Sequence, residues 1–161
     1  MHFWKPERYY GAAFETVEQM LEQNRPDAVV IATPPNVRMA SVPRCLELGL
    51  SVLSEKPLAI SLEQAEQLAG LARDAAGFTA IGFCHRFTPA VQAIRKLIQG
   101  GQFGRVAEVR VNFSGPDPSR STHWMSDPAI SGGGVAIDNA VHAIDLFQFL
   151  CGPLDAEVTT G

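Results

Sequence analysis

The chain has 161 residues, of which 46% are hydrophobic and 19% charged, a balance that excludes a disordered chain and suffices for one sizeable core. A net charge of −4, with Lys and Arg scattered among acids, gives no basic field to hold a phosphate backbone, so nucleic acid is not an expected partner. The longest apolar runs fall far short of a membrane span and the N-terminus has no signal-peptide order, so the expected setting is cytoplasmic and away from membranes.

Along the chain, helix and strand signals alternate. Thr16 and Gln19 have capping-box spacing and open a short helix to about Asn24. The run Ala28 to Ala32 is continuously apolar and β-branched, which predicts a parallel strand buried on both faces. Thr33-Pro34-Pro35-Asn36 ends it. A helix is predicted from about Asn36 to Leu48, kinked by Pro43 and closed by Gly49. Ser51 to Ser54 is a second buried strand, and Ser61 opens a helix with Leu62, Ala65, Leu68, Ala69 and Ala72 on one face. Thr79 to Phe83 is a third strand. Strands separated by single helices form βαβ units, hence an α/β fold with a doubly wound parallel, Rossmann-like sheet.

The pattern then changes. A helix from Thr88-Pro89 to Gly100-Gly101 leads into Arg105 to Ser114, where Val109, Val111 and Phe113 alternate with Glu108, Arg110 and Asn112. That alternation predicts a strand with one wet face in a mostly antiparallel sheet. A polar loop from Gly115 to Ser131, a helix from about Val135 to Leu150 and the start of a strand at Ala156 to Thr160 complete the reading. Residues 1–85 are thus one parallel-sheet domain, and 86–161 the beginning of a second α/β domain. Cys45, Cys84 and Cys151 are odd in number and lie in apolar context, so they are read as reduced core thiols.

Two motifs carry chemistry. Glu55-Lys56-Pro57 follows the second buried strand, on the edge where open α/β sheets bind ligands. A lysine fixed there could serve proton transfer or charge stabilisation, but read by itself it is more often a solvated loop lysine. Gly132-Gly133-Gly134 precedes Asp138, His142 and Asp145, whose spacings of four and three put them on one face of an otherwise apolar helix. The stripe is either a solvated outer face with the histidine satisfied by Asp138 or Asp145, or a general base oriented by a carboxylate. A metal site is sterically possible for the Asp138–His142 pair, but no further ligands lie near in sequence and no metal is expected.

Taken in order, Asp27 to Pro35, Val52 to Ala59, Gly82-Phe83-Cys84-His85-Arg86-Phe87, Gly104 and the Gly132 to Asp145 block resemble the glucose-fructose oxidoreductase and inositol dehydrogenase (Gfo/Idh/MocA) superfamily. The resemblance runs from about Tyr10 to Gly152. It implies a nicotinamide-dependent oxidoreductase using NAD or NADP on a sugar or polyol hydroxyl, with a homo-oligomeric state when complete. It also implies Lys56, Asp138 and His142 as the catalytic constellation, and Thr33, Pro34, Asn36, Glu55 and Lys56 as the cofactor contacts. Two rival classes share the fold: a glycosidase that oxidises its substrate transiently, and a non-catalytic binding or regulatory protein. Arg38 stands where the family often has histidine, and is expected to alter how the cofactor's ribose or phosphate is held. Ala140 replaces a common glycine. No Gly-x-Gly-x-x-Gly motif occurs, so the chain is expected to be a piece of a longer reading frame, inactive by itself, with apolar strand edges left open.

Overall fold

A computed structural model describes residues 11–112 and 123–153. Helix α1 (Val17–Gln23) starts where Thr16 Oγ1 accepts from the Gln19 N–H, satisfying one of the donors that a helix start leaves open. Strand β1 (Ala28–Ile31) leads through a 3₁₀ turn (Pro35–Val37) into α2 (Arg38–Glu47), and β2 (Ser51–Ser54) follows. Ser61 caps α3 (Leu62–Asp74) by accepting from Gln64 N–H, and β3 (Thr79–Ile81) completes a parallel sheet of order β1-β2-β3. The register sets Val30 beside Leu53 and Leu53 beside Ala80. After it come a 3₁₀ turn (Cys84–Phe87), α4 (Pro89–Gln99), a further 3₁₀ turn (Trp124–Ser126), α5 (Pro128–Ser131), a π-helical turn (Ala136–Ala140) and α6 (Val141–Cys151). Among the described residues no helix is long and apolar enough to cross a membrane.

The α/β fold and the parallel sheet agree with the sequence reading. Ile31, Val42, Cys45, Leu46, Leu50, Val52, Ala59 and Leu68 form the core between the sheet and its helices. Each Val, Leu or Ile side chain among them removed from water is worth about 1.5–3 kcal/mol, which is what holds α2 and α3 down.

Several expectations are corrected. The strands are covered on one face only, since Val30 is 70% exposed and Leu53 also faces solvent. Successive crossovers in one direction along the sheet put α2 and α3 side by side on the same face, leaving the Val30–Leu53 row bare. Helix α2 runs through Pro43 without interruption, and Leu62, assigned to the buried face of α3, is exposed. Cys45 is a core thiol, whereas Cys84 is exposed and Cys151 half-buried; all three are free. The loop before Gly132 contains the turn at Trp124–Ser126 and the short α5.

No β-ladder forms over residues 105–112, because alternation becomes a strand only when a neighbour supplies hydrogen-bond partners, and none does among the described residues. Val106, Val109 and Val111 instead line a cavity of about 550 Å³ with Ile94 and Leu146. The remainder of that predicted strand and the one at Ala156 to Thr160 lie outside the described residues.

Candidate active site at the carboxyl edge of the sheet

Three loops leave the sheet on one edge because all three strands are parallel. The ladder continues one bond past each strand end: Glu55 N–H donates to Ile31 O at 2.9 Å and Gly82 N–H to Ser54 O at 2.8 Å. These bonds bring residues 33–36, 55–57 and 82–87 together. In the first loop Pro35 is buried, so it anchors a turn on which Thr33 and Asn36 stay exposed and Pro34 half-exposed. In the second loop Glu55 is exposed, and its Oε2 accepts from Lys56 N–H at 3.2 Å. Gly82 leaves room for this carboxylate, because a Cβ there would sit 3.1 Å from Glu55 Cδ.

Lys56 reaches across to the last helical block. Its Nζ donates to Asp138 Oδ1 at 2.6 Å and to Asp138 O at 2.8 Å, and both side chains are largely enclosed, at 17% and 18% exposure. Asp138 lies in the π-helical turn ahead of α6, a local widening that recurs at functional sites. One turn on, His142 is 7% exposed, with its ring edge-on to His85 at 4.5 Å between centroids and to Phe83 at 6.0 Å. Burial pushes the His142 pKa down, the Lys56 and His85 charges push it further, and Asp145 and Glu55 pull partly back. The imidazole is therefore neutral at neutral pH and equipped to take a proton.

Asp145, also buried, meets Arg86 from the turn after β3, and the guanidinium lies 5.2 Å over the Phe149 ring. The Asp138–His142–Asp145 stripe thus faces inward, toward cations and rings of the sheet loops, and is not a solvated outer face. Gly132, at φ +81°, packs against the loop after Lys56: a Cβ there would lie 2.7 Å from Ile60 Cα.

Lys56, Asp138 and His142 are accordingly gathered at one end of the sheet, and Thr33, Pro34, Asn36 and Glu55 stand on the adjoining loops. Arg38 differs from its expected role. It is 2% exposed, and its guanidinium donates to the carbonyls of Thr33, Glu55 and Pro57, so it is turned into the protein and occupied by backbone. His85 and Arg86 carry no role in the sequence reading beyond their place in the Gly82–Phe87 motif. Arg86 had a usable signal, since a carboxylate on the inward face of an apolar helix calls for a cation.

Two family models match the chain: the oxidoreductase family with NAD-binding Rossmann fold over residues 3–83, and the Gfo/Idh/MocA C-terminal domain over residues 91–160. The rhizopine catabolism protein MocA of Rhizobium meliloti is 31% identical over 149 residues, which cover 91% of this chain and 45% of that protein. Inositol 2-dehydrogenase of Rhizobium meliloti (strain 1021) is 29% identical over 150 residues, covering 93% of this chain and 44% of that one. Among solved structures, levoglucosan dehydrogenase in complex with NADH and levoglucosan superposes with a TM-score of 0.78 at 27% identity, over 86% of this chain and 38% of that one. The chain spans about half the length of the curated relatives it matches. With both family models placed end to end along it, and the parallel sheet and its loops arranged as described, the chain belongs to the Gfo/Idh/MocA oxidoreductase family.

Proposed function

We propose that the protein to which this chain belongs is an NAD(P)-dependent dehydrogenase acting on a CH–OH group of a sugar or polyol, with Lys56, Asp138 and His142 as its catalytic residues. The observation that carries the reading is the meeting of Lys56 Nζ with Asp138 beside a buried, neutral His142. The donor set suits a nicotinamide dinucleotide: Thr33 and Asn36 are exposed just past β1 and Glu55 just past β2, where parallel sheets receive such ligands. Thr33, Pro34, Asn36, Glu55 and Lys56 would hold it. When bound, it supplies the acceptor or donor of hydride.

The chain's own residues handle the proton and the charge. His142 accepts the substrate hydroxyl proton during oxidation and returns it during reduction. Lys56 donates a hydrogen bond to the same oxygen as negative charge develops there. Asp138 keeps the ammonium in place through its side chain and its carbonyl. The relatives named inositol 2-dehydrogenase and levoglucosan dehydrogenase support a polyhydroxylated substrate. A division near residue 86 into cofactor and substrate domains, a homo-oligomeric whole and a cytoplasmic setting belong to the same proposal, the last supported by three free cysteines.

The experiment is to incubate the purified full-length protein with NAD or NADP and a panel of inositols, aldoses and anhydrosugars, and to follow reduced nicotinamide. Lasting, substrate-dependent accumulation is the expected result. Turnover of substrate with no net change in the cofactor, or no turnover with any of them, would remove the dehydrogenase reading.

A further inference from the structure

Among the described residues Arg38 is the largest fully buried side chain, and its acceptors are backbone carbonyls. Nε and Nη2 donate to Thr33 O at 3.0 and 2.6 Å, and Nη1 donates to Glu55 O and Pro57 O. A guanidinium is a flat fork with five donors, so one group serves three carbonyls on two loops at once. All three carbonyls lie beyond the strand ends of β1 and β2, where backbone groups need donors from elsewhere. Two of them, Glu55 O and Pro57 O, flank Lys56 on either side.

We propose that Arg38 is a positioning residue for Lys56: by gripping the backbone at 55 and 57 and tying it to Thr33, it holds the lysine ammonium on Asp138. The proposal rests on the reading of Lys56 given above, to which it adds the residue that fixes its place. Filling the same space takes only a methionine. Bonding the carbonyls of Glu55 and Pro57 together with that of Thr33 takes several donors fixed in one plane, which methionine lacks. Arg38 also sets the distance between the Thr33–Asn36 and Glu55–Lys56 loops, so both halves of the proposed cofactor edge depend on one side chain.

The test reads the freedom of Lys56 directly. In the full-length protein, limiting acetic anhydride is used to acetylate amines, and mass spectrometry compares Lys56 with the exposed Lys96 as internal reference. Arg38→Met is expected to raise the relative rate at Lys56 roughly tenfold or more, the scale of losing one charge-assisted hydrogen bond. Arg38→Lys, which keeps the charge but has one donor centre in place of the fork, should give a smaller rise. Leu68→Ala, a core truncation that removes none of the Arg38 donors, should leave the ratio unchanged.

An unchanged ratio in folded Arg38→Met overturns the proposal, and so does a rise in Leu68→Ala that matches it. If Arg38→Met does not fold, Arg38→Lys decides in the same way. The outcome is separable from the catalytic reading, because labelling needs no turnover. Full activity of Lys56→Met would remove the lysine's chemical role and leave the labelling result standing.

Discussion

Arg86 and Asp145, 59 residues apart, are joined from the guanidinium Nε to both carboxylate oxygens at 3.0 and 2.8 Å, with a further bond from Nη2 to Oδ1. The pair ties the turn after β3 to α6, the helix that carries His142. Asp145 is buried while Arg86 is partly exposed, and the carboxylate raises the arginine's pKa. Removing only the cation therefore strands a carboxylate in the interior.

From that geometry Arg86→Met should cost about 1–3 kcal/mol of stability, less than for a fully buried pair because the arginine end is open to solvent. Arg86→Met with Asp145→Leu should recover much of it. Chemical denaturation of the two single variants and the double variant measures the coupling. Additive losses would mean that the pair is not an interacting unit.

Lys56→Met tests the donor role. If the ammonium stabilises charge on the substrate oxygen, turnover should fall about a hundredfold or more, the scale for one such donor. Cofactor affinity, followed by nicotinamide fluorescence, should change far less. Near-normal turnover would take the role away from Lys56.

What could be read before the structure was local. Thr16 and Ser61 cap their helices through side-chain bonds three residues on, so their signals sit within four letters of sequence. The strands Ala28–Ile31 and Ser51–Ser54 are β-branched or apolar runs between turn residues, equally local. Lys56 and Asp138 lie 82 residues apart, and only the order of motifs shared with a family connected them. Arg38 on Pro57 and His85 on His142 left no such trace, and Arg86 on Asp145 only the hint of a carboxylate on an apolar helix, because each contact is made by the sheet bringing loop ends together. The failed strand at residues 105–112 marks the same limit, since alternation records which side of a segment is apolar and says nothing of a partner.

The cysteines give a chemical check on burial. Cys45 is 1% exposed, and burial, aided by Glu18 and opposed by Arg44, pushes its thiol pKa up, so little thiolate forms and reagents cannot reach it. Cys84 is exposed. Under native conditions a maleimide should therefore modify Cys84 well before Cys45, which should react only on unfolding. Site-by-site mass spectrometry reads this, and equal rates at the two positions would contradict the placement of α2 against the sheet.

His142 should govern the pH dependence of both rate and stability. Its environment holds Lys56 and Glu55 from the loop after β2, His85 and Arg86 from the turn after β3, and Asp138 and Asp145 from its own helical block. The net effect of burial and cations is a folded-state pKa below the ordinary imidazole value of about 6.5. The oxidation rate should accordingly rise with pH through one ionisation lying below that value, then level off while the imidazole is neutral. For stability the sign follows from which state binds the proton. Above about pH 6.5 both states are neutral at this residue and it contributes no slope; below it the unfolded chain protonates first, so stability falls with pH until the folded group protonates too. His142→Asn removes the titrating group while keeping a polar side chain of similar reach. The variant should lose the rising limb of the rate profile together with most turnover, and its unfolding free energy should fall less steeply between neutral and mildly acidic pH. A rate profile that keeps the same limb in His142→Asn would show that another group takes the hydroxyl proton, whatever the stability curve does.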